Sequence, residues 1–386
     1  MKKYIVGSLL TLALVVFVFA ACGEGSPASG AGDTGNGDGP VRIAVAAPMT
    51  GDNAEYGLGF FNAATLQADI WNAAGGVLGR EIVIEQLDDT NSSEEAAALA
   101  QWIVAQGDIV GVIGHFTSGV AMTAAPVYDA NQIINISPSA SHPDFSGIGE
   151  FIFRNNTVIS AEAEAGLYIV ANDLGLTQVG IVSIMTEWGD STGDILEEII
   201  ATSFPTLNLV GRERVMEDAL DLSPAITTLN AAGAEAVFSV SMYPTLGLLA
   251  MQFAPINPDI HLIGFSNAYS ALLLELAGES ANGIRFPVPF FADSPEPRIQ
   301  EFVNAYIERN GYSPSALTAQ AFDSVGWLLT AIEQAGTTYG PTVRDTLATI
   351  PYTGVAGSVY FTPEGDVDRD FYRVLIENGR FVQTYP

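Results

Sequence analysis

From Val41 onward, short apolar runs rich in Val and Ile alternate with longer amphipathic runs. The runs VRIAVAAP, EIVIEQLDD and DIVGVIG are typical of strands, and GLGFFNAATLQADIWNAAGG and SSEEAAALAQWIVAQG between them have the period of helices. IINISP continues the series as a fourth strand after the helix-like AMTAAPVYDAN. Because strands separated by helices are joined by crossover connections, this order predicts a parallel sheet with helices on both faces.

The same alternation begins again after Phe151. The strands predicted in this second half are QVGIVSIM, NLVGRERV, EAVFSVSM, HLIGFSN and GIRFPVPF, most of them separated by helix-like runs. The body from Val41 to Pro386 is also too long for one simple core. The sequence therefore predicts an α/β fold of two doubly wound, Rossmann-like units in tandem.

The N-terminus carries a secretion signal. Lys2 and Lys3 precede the apolar run 4–19 and the small pair AA, so residues 1–21 are interpreted as a signal peptide. Cys22 is the only cysteine in the chain, and its position directly after AA resembles the lipobox of bacterial lipoproteins, although Phe19 stands where that motif usually has Leu. We therefore expect Cys22 to be lipidated and to anchor the protein to a membrane. Residues 22–40, rich in Gly, Asp and Ser, are interpreted as a flexible linker.

The charge of the chain excludes several functions. Lys2 and Lys3 are the only lysines, so removal of the signal leaves 12 arginines against 44 acidic residues. Without lysine the body has neither a P-loop lysine nor a Schiff-base lysine. Nucleic acid is not expected as a partner, because its binding depends on neutralising phosphates with basic side chains. The acidic excess is interpreted as a solvated surface.

The loops after the predicted strands are where a ligand is expected, because doubly wound sheets bind ligands beyond the carboxyl ends of their strands. In GHFTSG, Thr117 and Ser118 precede a helical run, so hydroxyl groups and backbone N–H groups would converge on an anion. Simple N-capping is the alternative. SPSAS adds a second hydroxyl-rich loop, which favours a small carboxylate or amide as ligand.

The histidines give no sign of a metal site. His115, His142 and His261 are far apart in the sequence and have none of the spacings typical of metal ligands. The sequence therefore predicts no metal and no cofactor.

Seven segments together resemble one known family in their order along the chain. They are VRIAVAAPMTGDNAEYGLGFFNAA, NAAGGVLGR followed by LDDTNSS, VIGHFTSG, ISPSAS, FIFRNNT, SMYPTLG and TAQAFDSVGWLLTAIEQAG. In these segments the chain resembles the type I periplasmic binding proteins, and specifically the leucine/isoleucine/valine-type receptors of branched-chain amino acid ABC transporters. The resemblance covers essentially all of 41–386.

The resemblance implies two lobes that are joined by three crossover strands and close over a ligand in the cleft between them. It divides the body into an N-terminal lobe of residues 41–157 plus 287–360 and a C-terminal lobe of residues 158–286 plus 361–386.

The resemblance also implies which residues bind the ligand. Ser118 and Ser141 would hold the ligand carboxylate, helped by the backbone at Ser139 and Ala140. The aromatic residues that fall where the family lines its cleft are Tyr56, Trp188 and Tyr243. For each of these three rings, packing in the core or on a lobe surface is the alternative.

One loop departs from the family pattern. Where amino-acid-binding members place an acidic residue against the ligand's α-ammonium group, this chain has GFSNAY, with Ser266 and Asn267, and Ser266 is expected to contact the ligand there. Leaving a desolvated charge without a partner costs several kcal/mol. Either another carboxylate, Glu187 or Asp323, replaces the missing one, or the ligand is not an ordinary α-amino acid. Short amides, urea and aromatic carboxylates are the other ligand classes implied by the resemblance.

The function predicted on these grounds is that of a non-enzymatic, monomeric, lipid-anchored solute receptor that works with a membrane ABC permease. A secreted hydrolase that uses Ser266 or Ser118 with His261 or His115 is one alternative, and a ligand sensor that acts on a separate protein is another.

Overall fold

The structure is a computed structural model and describes residues 39–385. The predicted signal peptide, Cys22 and nearly all of the predicted linker lie outside these residues. The strands are β1 (Val41–Ala47), β2 (Ile82–Asp88), β3 (Ile109–Gly114), β4 (Ile134–Ser137), β5 (Ile152–Arg154), β6 (Gln178–Ile184), β7 (Asn208–Val215), β8 (Ala236–Val240), β9 (His261–Ile263), β10 (Arg285–Val288), β11 (Tyr352–Gly354), β12 (Gly357–Val359), β13 (Tyr372–Glu377) and β14 (Arg380–Tyr385).

The helices lie between these strands, mostly one per crossover. They are α1 (Ala54–Ala73), α2 (Ser93–Gln106), α3 (Ser118–Ala130), α4 (Ile159–Tyr168), α5 (Glu187–Ser203), α6 (Ser223–Ala231), α7 (Tyr243–Phe253), α8 (Ala271–Ala277), α9 (Pro297–Asn310), α10 (Ala316–Ala335) and α11 (Gly340–Leu347). None of the helices within 39–385 has both the length and the apolar character needed to cross a membrane.

Two sheets form the centres of two lobes. The first has the order β2-β1-β3-β4-β5, and all its strands are parallel. The second has the order β14-β13-β10-β9-β8-β6-β7 and is parallel from β10 to β7. The two doubly wound units predicted from the sequence are thus confirmed. The antiparallel hairpin β13–β14 at the edge of the second sheet was not predicted.

The side chains of β1 explain why its sheet is covered on both faces. Val41, Ile43 and Val45 point into the larger core, where α1 and α10 pack, and the smaller Ala44 and Ala46 point into a second core beside α2 and α3. A strand that is buried on both faces has no polar position to expose, which accounts for the apolar run 43–47; Arg42, near the start of the strand, is partly exposed and pairs with Glu85 and Asp108.

The chain passes between the two sheets three times, at 155–158, 289–296 and 360–371. We call the first sheet with α1–α3 and α9–α11 the first lobe, and the second sheet with α4–α8 the second lobe. The segment 361–369 packs on the first lobe: the Phe361 ring stacks on Trp327 with centroids 3.8 Å apart, and the Gly365 carbonyl accepts a hydrogen bond from the Arg154 amide. Residues 361–369 therefore belong with the first lobe, whereas the predicted boundary at residue 360 assigned them to the C-terminal lobe.

Gly114 fixes the path of the chain where β3 ends. Its φ is 142°, and a Cβ atom at this position would lie 1.9 Å from the Ala46 carbonyl oxygen of β1. Only glycine fits so close an approach of two backbones. The loop 115–117 consequently leaves the sheet beside the end of β1, and α3 begins directly after it.

Candidate ligand-binding site

A cavity lies between the lobes, beyond the carboxyl ends of the parallel strands, with about 370 Å³ of empty space that includes its opening to solvent. Small-molecule sites occur at this place in doubly wound folds. The lining residues come from the loops after β3, β4, β5, β8 and β9 and from α3, α4, α5 and α10: Phe116, Thr117, Ser118, Ser139, Ser141, Asn156, Ile159, Glu162, Trp188, Met242, Ser266, Asn267 and Leu317. The cavity therefore brings together six of the residues predicted to bind ligand: Ser118, Thr117, Ser139, Ser141, Trp188 and Ser266.

Ser118 is held in an orientation that suits a hydrogen-bond donor. It is the first residue of α3, and its Oγ accepts hydrogen bonds from the backbone N–H groups of Ser141 and His142, at 3.2 and 3.3 Å. A hydroxyl oxygen that already accepts two bonds has its own hydrogen left to donate. Since Ser118 is buried and lines the cavity, that hydrogen is available to a ligand oxygen.

Ser141, in the loop after β4 of the first lobe, is oriented in the same way by a residue of the second lobe. Its Oγ accepts a hydrogen bond of 3.0 Å from Nε1 of Trp188, a residue in the first turn of α5. The indole thereby joins the second lobe to the loop after β4 and leaves the Ser141 hydroxyl hydrogen to donate. Ser118 and Ser141 are thus two fixed donors on one wall of the cavity.

The first turn of α3 adds backbone donors. Thr117 is the N-cap residue of α3, but its hydroxyl donates to Asn91 Oδ1 at 2.8 Å and does not cap the helix. The N–H groups of a helix N-terminus without a side-chain cap attract anions through hydrogen bonds and the helix dipole. The Thr117 side chain therefore does not act as a simple N-cap of α3.

Ser139 and Ala140 contribute differently. The Ser139 hydroxyl donates to the Phe116 carbonyl at 2.6 Å, and the Ala140 amide donates to Ser137 Oγ at 2.9 Å. Both groups are therefore engaged inside the loop after β4 and tie it to the loop after β3. Ala140 is buried in the second core and does not line the cavity.

The predicted aromatic residues lie at unequal distances from the cavity. Trp188 lines it, with its ring edge-on to Phe265. Tyr56 stacks on the lining residue Phe116 with centroids 4.2 Å apart, and its hydroxyl donates to the Asn267 carbonyl at 2.9 Å. Tyr243 is half-buried, with its ring 6.4 Å from that of Tyr56, and is not part of the wall.

The two acidic residues proposed as replacements for the missing carboxylate lie outside the cavity wall. Glu187 is half-exposed and pairs with Nε2 of His142 at 3.0 Å, across the boundary between the lobes. Asp323 is buried in α10, and its two oxygens accept from the amides of Val355 and Ala356 at 2.8 Å each. Burial raises the pKa of Asp323 to about 6. Its role is to hold the turn between β11 and β12.

A carboxylate that the sequence analysis missed does line the cavity. Glu162 of α4 is 2% exposed and accepts a hydrogen bond from the backbone N–H of Ser266. Burial raises the pKa of the Glu162 carboxyl to about 7, and the hydrogen bond from Ser266 opposes this shift. A carboxylate thus stands beside Ser266, where the loop itself supplies none.

The helical period of α4 contained the signal for Glu162. Ile159, Ala163 and Gly166 form the buried face of this helix, and Glu162 is spaced so that it falls on the same face. Glu164, two residues on, is exposed. A lone acidic residue on an otherwise apolar helix face requires a partner, and it could have been recognised from the sequence on that ground.

The pairs required for a hydrolase do not form. His115 is buried, with Nδ1 2.6 Å from Asp89 Oδ2 and Nε2 3.0 Å from the Tyr128 hydroxyl. His261 is at the amino end of β9, the opposite end of the strand from Ser266. Within residues 39–385, neither Ser118 nor Ser266 hydrogen-bonds to either histidine ring. The same residues contain no group of three or more His, Cys, Asp and Glu side chains that could hold a metal ion.

Comparisons with known proteins point to one family. The model of the family described as periplasmic binding protein matches residues 40–380. The chain is 27% identical over 347 residues to the amino acid binding protein of Pseudomonas aeruginosa, covering 86% of this chain and 89% of that protein. It is 26% identical over 337 residues to Leu/Ile/Val-binding protein homolog 1 of Brucella abortus, covering 84% and 87%.

A solved structure gives the same result in three dimensions. The ABC transporter substrate-binding protein of Desulfitobacterium hafniense, solved in complex with Leu, superposes with a TM-score of 0.75 at 25% identity, covering 89% of this chain and 99% of that one.

Proposed function

The chain belongs to the periplasmic binding protein family, and on that basis we propose that it is the extracytoplasmic solute-binding component of an ABC importer. It binds a small amino acid or a related carboxylate between its two lobes and delivers it to a membrane permease. The names of the relatives, which include an amino acid binding protein and Leu/Ile/Val-binding protein homologs, support this class of ligand.

One observation carries the proposal: the donors on the first-lobe side of the cavity all suit a carboxylate. The α3 N-terminus has no side-chain cap, and the hydroxyl groups of Ser118 and Ser141 are fixed as donors by the N–H groups they accept from. Donors of two kinds, backbone N–H and hydroxyl, line one cavity, and hydrogen bonds from such donors to a charged carboxylate are the stronger ones in proteins. A carboxylate is the small group that accepts all of them.

Closure of the lobes follows from contacts that cross the cavity. Trp188 bonds to Ser141, Glu187 pairs with His142, and the Tyr56 hydroxyl donates to Asn267, each contact joining one lobe to the other. A ligand that contacts both lobes binds the closed arrangement more tightly than an open one, and the difference between these two binding free energies favours closure. The permease then recognises the closed form.

The site supports binding without chemistry. The serine and histidine pairs that a hydrolase would need are not joined, and the cavity wall carries one ionisable side chain, Glu162, among the residues described. Nothing in this wall pairs a nucleophile with a base. The proposal is therefore a receptor that releases its ligand unchanged.

The location and state of the protein are inferred from sequence and family. Cleavage before Cys22 and lipidation of its thiol would anchor the body to a membrane through the 22–40 linker. The anchored protein acts as a monomer. Radiolabelled palmitate incorporated by the full chain, and not by Cys22→Ser, tests the anchor; size-exclusion chromatography with light scattering tests the monomer.

A thermal-shift screen of the body from residue 39, stripped of carried-over ligand, tests the function. The panel contains amino acids, short amides with urea, and aliphatic and aromatic carboxylates. A ligand at one hundred times its dissociation constant stabilises the folded state by about 2.7 kcal/mol, which raises the melting temperature by several degrees. A shift with an amino acid or a carboxylate supports the proposal, and a shift with amides or urea alone assigns the alternative ligand class. The absence of a shift across the panel refutes it.

A further inference from the structure

Two hydrogen-bond acceptors line the second-lobe side of the cavity. They are the carboxylate of Glu162 and the side-chain carbonyl Oδ1 of Asn267, which together we call the acceptor corner. Ser266 links them: its backbone N–H donates to Glu162, and Asn267 is the next residue in the chain.

Glu162 has no cationic partner within the described part of the chain. It forms none of the ion pairs found there, and its observed hydrogen bond is the one from Ser266. The cavity wall contains no Arg, Lys or His. A carboxylate buried without a cation costs several kcal/mol unless it binds a proton or a ligand supplies the positive charge.

Asn267 independently points to the same kind of ligand group. Its Nδ2 donates to the Ser241 carbonyl at 3.2 Å and lies 2.9 Å from Met242 Sδ, which fixes the orientation of the amide. Its Oδ1 is buried and has no hydrogen-bond partner. An unsatisfied buried acceptor that lines a ligand cavity is satisfied when a ligand N–H group reaches it.

We propose that the acceptor corner binds the protonated amino group of the ligand, while Ser118, Ser141 and the α3 N-terminus bind its carboxylate. The ligand class is then the zwitterionic α-amino acids. Glu162 replaces, from helix α4, the acidic side chain that the loop at Ser266 lacks, and neither Glu187 nor Asp323 has this role. This inference rests on the proposed function and adds that the ligand carries a positively charged amino group.

The wild-type protein provides the first test, because it requires no variant to fold. Leucine is compared with 4-methylpentanoate, which has the same carbon skeleton and carboxylate but no amino group, by isothermal titration calorimetry at pH 8. The panel of amino acids is titrated in the same way, each against its acid without the amino group. We expect the best-bound amino acid to bind at least about a hundredfold more tightly than its amine-free analogue, since loss of one partner leaves the other charge buried.

Glu162→Gln provides the second test, with Glu164→Gln as the matched control. Gln keeps the shape of Glu162 and an oxygen to accept from Ser266, but it removes the charge; Glu164 is exposed on the same helix. We expect Glu162→Gln to weaken amino-acid binding by about a hundredfold and to leave or improve binding of the amine-free acid, whereas Glu164→Gln changes neither. The melting temperatures of both variants confirm that they are folded.

The outcomes separate the two proposals. Binding of amine-free acids as tightly as, or more tightly than, amino acids overturns this inference and leaves the solute-receptor function in place. An equal loss for both ligands in Glu162→Gln also overturns it, because a purely structural residue would affect both. If no compound of either kind binds, the proposed function fails and this inference fails with it.

Discussion

Removal of the Ser118 hydroxyl is expected to weaken binding of every carboxylate ligand, whatever the rest of the ligand is. The Ser118 Oγ accepts two backbone N–H bonds, of 3.2 and 3.3 Å, so its hydrogen is the group that reaches the ligand. A hydrogen bond from a hydroxyl to a charged acceptor contributes about 1.5–3 kcal/mol. Ser118→Ala should therefore raise the dissociation constant by about ten- to a hundredfold.

Ser139→Ala is the matched control, since it removes the same group one loop away. The Ser139 hydroxyl is already donated to the Phe116 carbonyl at 2.6 Å and has no hydrogen left for a ligand. We expect Ser139→Ala to change affinity by less than about threefold, and to act mainly on stability, by about 1 kcal/mol. Titration calorimetry of both variants at one pH measures the difference. Equal losses, or a larger loss in Ser139→Ala, would refute the assignment of Ser118 as the donor.

Four further results are expected. Because burial raises the pKa of Glu162 to about 7, the carboxylate binds a proton as the pH is lowered from 8 to 6, and the affinity for amino acids should fall. The affinity for 4-methylpentanoate should not fall. Calorimetry across that pH range measures both affinities. Asp323→Asn should change the amino-acid dissociation constant by less than about twofold, since Asp323 lies outside the cavity and only its acceptor bonds to the β11–β12 turn are altered, and calorimetry at pH 8 checks this. Arg154→Met should lower the free energy of unfolding by about 3–5 kcal/mol in urea titrations, because the fully buried guanidinium bonds a carboxylate and several carbonyls that would lose their partner. Trp188→Phe should weaken binding by about two- to tenfold in calorimetry, because it removes the 3.0 Å bond to Ser141 that joins the lobes; an unchanged affinity would contradict the closure mechanism.

The sequence predicted most of the fold because the strands of a parallel sheet are apolar on both faces. β1 is one example: Ile43 and Ala44 point into different cores, so no polar residue interrupts the strand after Arg42. The hairpin β13–β14 was not predicted, because its strands are not apolar on both faces. It lies at a sheet edge, and its strands, YRVLIE and RFVQTY, mix polar and apolar residues without a crossover helix to mark them.

The residues on the first-lobe side of the cavity could be proposed from the sequence, since Thr117 and Ser141 lie in short loops after strands and Ser118 begins the helix that follows one of them. The second-lobe side could not be predicted in the same way. Glu162 reaches the cavity from a helix: the period of α4 marks it as a buried acidic residue that needs a partner, but that it faces the cavity depends on how α4 packs in the second lobe. For Asp323 the sequence suggested a role that the packing does not support. It was a candidate for binding the ligand's ammonium group, but its carboxylate accepts hydrogen bonds from the backbone amides of Val355 and Ala356.

The central claim is that the protein binds one small zwitterionic molecule between its lobes and returns it unchanged. Titration calorimetry of the ligand-free body with the amino acid that gives the largest thermal shift, followed by mass spectrometry of the recovered ligand, tests this claim most directly. We expect saturable binding of one molecule per chain and recovery of the same compound. Conversion of the compound into a product, or heat without saturation, would contradict the account.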